Sequence, residues 1–323
     1  MNKTLKANIS MLLAAMIWGA AFVTQRMGMD SMGPFYFNGL RALLGAAVLI
    51  LVALITDKTG LMKSIEEENA SIHAQCGTTS KGEQRKTLFK GGIACGLVLF
   101  LSSNSQQIGL VYIDASKSGF LTALYIVLVP LIGIALRKPI HSNHLIAAAL
   151  GVFGLYFLCI NGSFNLQLGD LISIIGAFFW AVHILVTDHF APKLNPIKLT
   201  AVQFFICGTL SIIAAPISGE NLTLTMIADA KFVLLYTGIV STAIAFSLQA
   251  FAQRYANATA ASIILSTEAL FATISGFLFL GEVFTRREFI GAIFMLAAVI
   301  IAQITFKDFI NLFKKGKKHD ADC

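Results

Sequence analysis

The sequence predicts an all-α membrane protein: ten transmembrane helices arranged as two inverted five-helix repeats. Three observations lead there. Of 323 residues, 56% are hydrophobic and only 13% charged, about half the charged share of a soluble domain, so lipid is the main solvent. Ten apolar stretches approach the ~20 residues that a helix needs to cross a hydrocarbon core about 30 Å thick. The chain also corresponds to itself at fixed offsets.

The stretches are 9–27, 34–56, 90–111, 116–136, 144–161, 169–187, 197–217, 232–253, 258–280 and 288–306. The first follows Lys3 and Lys6 and resembles a signal peptide, but no small-x-small site closes it and similar segments follow. It is read as an uncleaved span. Most links are short. Residues 57–89 form a polar loop with "EEEN" and "GTTSKGEQRK" and no helical apolar period. The tail, 307–323, is basic and ends in "KKGKKHDADC".

Lys and Arg set the orientation. With the N-terminus in the cytoplasm, 18 of them fall in inside segments and 5 outside, with Arg41 within a span. The split predicts a multi-pass protein of a bacterial-type inner (cytoplasmic) membrane with both termini cytoplasmic. It also accounts for the net charge of +7 without nucleic acid as a partner.

The repeat rests on two offsets. Trp18 and Trp180 are 162 apart, as are Arg41 and Gln203. "QQIGLVYIDAS" (106–116) then aligns with "QAFAQRYANAT" (249–259) at 143, so that Gln106 meets Gln249. The offset falls by 19, and the loop at 57–89 is 19 residues longer than its counterpart at 218–231. One insertion accounts for the change. The predicted halves are 1–161 and 162–306, followed by the tail. Five spans is an odd number, so the halves run oppositely through the bilayer. Such inverted repeats are a transporter design with a site near the midplane; the plain alternative is a duplicated structural membrane protein with no passage.

Several stretches carry a family resemblance: "AAMIWGAAFV", "FNGLRALLGA", "SGFLTALYIVLVPLIG", "FFWAVHILVTDHFAPKLNP" and "AQRYANATAASIILSTEALFATISGFLFLGE". In order and spacing they resemble the EamA-type members of the drug/metabolite transporter superfamily, over nearly the whole chain outside 57–89 and the tail. The resemblance implies ten helices, two inverted repeats, a central cavity with spans 5 and 10 peripheral, and export or uptake of small metabolites or drugs. It departs at Ala269, where the family often has a proline, and this puts a helix kink there in question.

Glu268 lies ten residues into its span, roughly 15 Å deep by helix rise. An ionised, unpaired acid there costs about 3 kcal/mol or more, so it must hold a proton, find a partner or face water. It is a candidate for proton coupling or for binding a substrate amine; otherwise it is a structural carboxyl bonded to a neighbouring helix. Arg41 is its obvious partner. Tyr125 is its repeat mate and shares a helical face with Ser118 and Thr122. Ser173, Gly176, Trp180, His183 and Thr187 form one stripe that faces protein or water. His183 is a candidate proton relay or a satisfied interhelical donor, and Trp18 and Trp180 either bound a cavity or fill the core. "SSNSQQ" (102–107) sweeps all round its helix, so some of these residues meet other helices and some meet water. Gln106 and Gln249 suit a polar metabolite or act as interhelical glue. Arg41 snorkels, forms an ion pair or carbonyl clamp, or binds an anion. Glu282 reads as part of a charge cluster at a helix end.

The candidate substrate or coupling residues are therefore Glu268, Tyr125, Trp18, Trp180, His183, Gln106, Gln249 and Arg41. No GxxxxGK[ST], HExxH or GxSxG occurs, the five cysteines have no metal-ligand spacing, and His141 and His144 have no carboxylate nearby. Neither enzyme, metal nor other cofactor is expected. The expected function is secondary active or facilitative transport, as an exporter, of a small metabolite such as an amino acid or amphipathic organic compound, with the lipid bilayer and protons as partners. A lipid scramblase or a non-transporting membrane binding protein is the alternative.

Overall fold

The computed structural model describes residues 3–60, 67, 81–138, 141–159, 167–280 and 285–303. All regular structure among them is helical. The first half contains α1 (Lys3–Met29), α2 (Pro34–Thr59), α3 (Lys81–Tyr112), α4 (Ala115–Ala123), α5 (Tyr125–Ala135) and α6 (Ser142–Cys159). The second contains α7 (Leu168–Phe190), a 3-10 turn (Ala191–Lys193), α8 (Pro196–Ile217), α9 (Leu224–Asp229) and α10 (Lys231–Leu235). A π-helix (Tyr236–Ile244), α11 (Ala245–Ala252), α12 (Ala258–Leu265), α13 (Glu268–Leu280) and α14 (Arg286–Gln303) complete it.

Eight helical stretches among the described residues are long and apolar enough to cross a membrane. The other two expected spans are α6 and α14, of 18 residues each; α14 carries Arg286, Arg287 and Glu288 in its first turn. Large apolar side chains such as Phe153, Phe289, Leu296 and Ile300 point outward, each more than half exposed. The protein is a multi-pass membrane protein whose outer surface is solvated by lipid rather than water.

Helix ends follow local chemistry. α8 starts with Pro196 behind Asn195, whose Oδ1 accepts from the N–H groups of Ile197 and Lys198, an N-cap of the expected kind. α2 also starts with a proline, but its N-cap is Gly33, which has no side chain to offer. The carboxylate of Glu220, from the link after α8, accepts from Phe35 N at 3.0 Å and Tyr36 N at 2.9 Å instead. A Cβ on Gly33 would lie 2.3 Å from the Glu220 carboxyl carbon, so the missing side chain makes room for the borrowed cap.

The polar loop expected at 57–89 is shorter than predicted. α2 runs to Thr59 and stops at Gly60, in the left-handed conformation at φ 67°, and α3 already begins at Lys81. Gly60 is the physical stop signal, and Glu83 supplies an acid in the first turn of α3. Most of that loop, Glu282 and the tail 307–323 lie outside the described residues.

α2 packs chiefly on α8, α3 on α7 and α6 on α14. Small residues set the separation in the last pair: a Cβ on Gly154 would lie 2.9 Å from Met295 N, and one on Gly291 2.8 Å from Gly154 O. The two backbones touch there, which is how helices associate where lipid removes the hydrophobic driving force.

Two spans are broken at related places. Leu124 separates α4 from α5, and Ser266 and Thr267 separate α12 from α13. At the first break Leu124 N donates to Leu121 O, three residues back, at 3.3 Å; at the second Thr267 N donates to Ile264 O at 3.2 Å. These pairs stand 143 residues apart. The second break exists without the proline that Ala269 replaces. Its cause is a run of hydroxyls: Ser262, Ser266 and Thr267 each donate from the side chain to the carbonyl three residues earlier, at 2.8, 2.8 and 2.6 Å, competing with the helical ladder.

Candidate functional site

The break after Thr267 makes Glu268 the first residue of α13, and the break at Leu124 makes Tyr125 the first residue of α5. The two side chains meet: Tyr125 Oη donates to Glu268 Oε1 at 2.9 Å, with both residues about 95% buried. Arg41, the partner expected for Glu268, makes no ion pair with it. The phenol of the repeat mate takes that place because both half-helices begin against the same space.

That space is a cavity, about 560 Å³ when its open mouth is counted with it, walled by every long span except α6 and α14 among the described residues. Its aromatic wall centres on Phe246 of α11. The Trp18 ring lies 4.6 Å from it, Phe204 4.7 Å and Trp180 6.0 Å, centroid to centroid. Both indoles are anchored: Trp18 Nε1 donates to Ser241 O of the π-helix at 3.1 Å, and Trp180 Nε1 to Gln106 Oε1 at 2.9 Å. Aromatic rings with their N–H groups satisfied present rigid apolar surface.

The lining is organised in mates. At the offset of 162 stand Trp18 with Trp180 and Phe22 with Ile184; at 143 stand Ser103 with Phe246, Gln106 with Gln249, Thr122 with Leu265 and Tyr125 with Glu268. These six pairs supply most of the wall. Arg41 lines it too, but its mate Gln203 does not.

A sequence profile of the EamA-like transporter family matches residues 5–160 and again 167–303. The chain belongs to that family. An uncharacterized transporter of Archaeoglobus fulgidus is 30% identical over 304 residues, covering 94% of this chain and 87% of that protein. The uncharacterized transporter YoaV of Bacillus subtilis is 21% identical over 306 residues, covering 93% and 98%. One solved crystal structure superposes with a TM-score of 0.68 over 92% of this chain and 96% of the other at 16% identity, a likeness of fold alone.

In this EamA-like protein, seven of the eight candidate residues come together on the cavity: Glu268, Tyr125, Trp18, Trp180, Gln106, Gln249 and Arg41. His183 does not. It is fully buried behind Trp180, with Nε2 3.1 Å from Gln203 Oε1. Its stripe on α7 turns to protein, as Gly176 shows by packing on Ser105 and Gln106 of α3. Arg41 neither snorkels nor clamps a carbonyl. It is 5% exposed, and Asn38, one turn earlier on the same face, accepts from its Nε at 3.1 Å.

The polar run of α3 divides by role. Gln106 and Ser103 reach the cavity. Asn104 and Gln107 bind neighbouring helices, Asn104 through Ser211 Oγ at 2.9 Å and Gln107 through Gln25 O at 3.3 Å. Gln253, on the same face as Gln249, is likewise spent on Ile184 O at 2.9 Å. Sequence reasoning missed Phe22, Gln25, Phe204, Ser241 and Phe246. The offset of 162 applied to Phe22 and Ile184, and that of 143 to Ser103 and Phe246, would have exposed two of these pairs.

Proposed function

We propose that this EamA-like protein is a secondary transporter that moves, by export, a small amphipathic or polar metabolite across the cytoplasmic membrane by alternating access of two inverted five-helix halves, residues 1–161 and 162–306. The carrying observation is the mate-paired lining of one central cavity. A pseudo-two-fold axis through a chamber gives that pattern, and it lets one fold expose the same wall alternately to either side. The breaks at Leu124 and at Ser266–Thr267 support the same axis, since they place flexible joints at equivalent depths beside the cavity.

Glu268 is the coupling group in this reading. Its carboxyl faces the cavity, receives one hydrogen bond from Tyr125, and is the only acid on the wall among the described residues. A thermal-shift screen of the purified protein against a metabolite panel identifies the cargo class by mass action. Uptake of a radiolabelled hit into proteoliposomes then tests the mechanism. Glu268→Gln is expected to abolish accumulation driven by a pH gradient while leaving thermal stabilisation by the hit intact. A variant that accumulates the solute like the parent would remove Glu268 from the coupling step. A vesicle assay in which labelled lipid crosses leaflets and no solute saturates would instead favour a scramblase.

A further inference from the structure

The arginine on the cavity wall forms no ion pair among the described residues, because the wall's one acid, Glu268, is bonded to Tyr125 instead. Arg41 Nε is held by Asn38 Oδ1, and Asn38 is held in turn: its Nδ2 donates to Ser103 Oγ at 2.9 Å and to Ser211 Oγ at 3.3 Å. Side chains of α2, α3 and α8 therefore fix the guanidinium plane. Arginine carries five N–H donors and keeps its charge in proteins. One donor is used here, and the Nη1 and Nη2 fork finds no acceptor and no carboxylate among the described residues. Arg41 is 5% exposed and its guanidinium has the Phe37 ring 5.9 Å away but no carboxylate, a burial that is disfavoured unless an anion joins it.

The charge stands on one half only, because the mate of Arg41 is Gln203, a neutral amide that meets His183. Arg41 is also the only cation among the residues that line the cavity. Part of the wall is aromatic: the indole N–H groups of Trp18 and Trp180 are both engaged, which leaves their ring surfaces beside Phe246.

We propose that the Arg41 fork is the anion subsite of this cavity, and that the cargo is a small monocarboxylate with an apolar, ring-sized body. The carboxylate meets Nη1 and Nη2 end-on, while the body lies against Trp18, Trp180 and Phe246. Two parallel N–H donors match the two oxygens of a carboxylate. When Glu268 holds its proton, the single cation balances one negative charge, so a dianion would leave a charge uncompensated away from water. The proposal rests on reading the cavity as a solute site and specifies what that site selects.

The chain has only two tryptophans, and both line the cavity, so intrinsic fluorescence reports occupancy directly. The full chain in nanodiscs is titrated with 3-phenylpropionate, 3-phenylpropionamide, 3-phenylpropylamine and phenyl phosphate. The carboxylate is expected to saturate the signal at least about tenfold more tightly than the isosteric amide. Arg41→Gln should erase that preference; Arg41→Lys, which keeps the charge without the fork, should retain part of it. Equal binding of acid and amide by the parent overturns the proposal, whether or not the Gln variant folds, and so does a preference that survives Arg41→Gln. Preference for the amine or the phosphate also overturns it, yet leaves the cavity a solute site. No saturable response from any of the four overturns the proposal and leaves the transport reading to the metabolite screen and the uptake assay.

Discussion

Glu268 and Tyr125 satisfy one another because each opens a half-helix on the same cavity, and a mutation should show that neither is a bystander. Tyr125→Phe keeps the ring and removes only the donor to Glu268 Oε1. Orphaning a buried acceptor costs about 1–3 kcal/mol, so the variant should melt several degrees lower in detergent. In a double-mutant cycle with Glu268→Ala, which removes the acceptor, the two losses should fall short of adding. Strict additivity would mean that the bond contributes nothing. The sequence made these two residues legible because an acid in a lipid-solvated helix demands an explanation, and its mate follows by arithmetic. Phe246 was not legible: it is one of 26 phenylalanines, and only the contacts it makes set it apart. Arg41 was half legible. Its depth was plain, but the choice of Asn38 over Glu268 as partner depends on where three helices cross.

At the level of elements, eight of the ten expected spans are helices long and apolar enough to cross a membrane, while interruptions inside spans left no mark in apolar length. The π-helix at Tyr236–Ile244 leaves no periodic signature in an all-apolar segment, yet it sets Ser241 O where Trp18 Nε1 reaches it. π-turns often mark functional positions for this reason. The break before Glu268 was judged by its missing proline, whereas hydroxyl groups do that work here. Replacing Ser266 and Thr267 together by alanine removes the side-chain donors that compete with the main chain for Ile263 O and Ile264 O. The pair should hold or raise the melting temperature and slow proteoliposome uptake of the solute. Uptake at the parental rate would show that the joint is dispensable. α6 and α14 were expected at the periphery, and the glycine contacts between them account for their pairing there.

Over the whole molecule, the agreement of both offsets with one cavity lining is what local sequence reading could not supply, since it requires knowing which faces converge. Equivalent positions that differ are as informative as those that match. Gly33 and Asn195 both precede a proline that starts a helix, but α8 carries its own cap and α2 takes one from the other half through Glu220. Glu220→Ala should therefore cost more than Asn195→Ala: about 1–3 kcal/mol for two lost hydrogen bonds to a charge, against about 1 kcal/mol for a local cap. Equal melting temperatures for the two variants would refute the distinction. The consequence is mechanical. α8 carries its cap within its own first turn, where Lys198 also pairs with Asp57 of α2 at 2.8 Å, whereas α2 depends on a carboxylate held by a distant link. In the proposed alternating-access cycle, α2 must surrender that carboxylate before it swings, so the Glu220 contact acts as a latch whose release adds to the energy of opening.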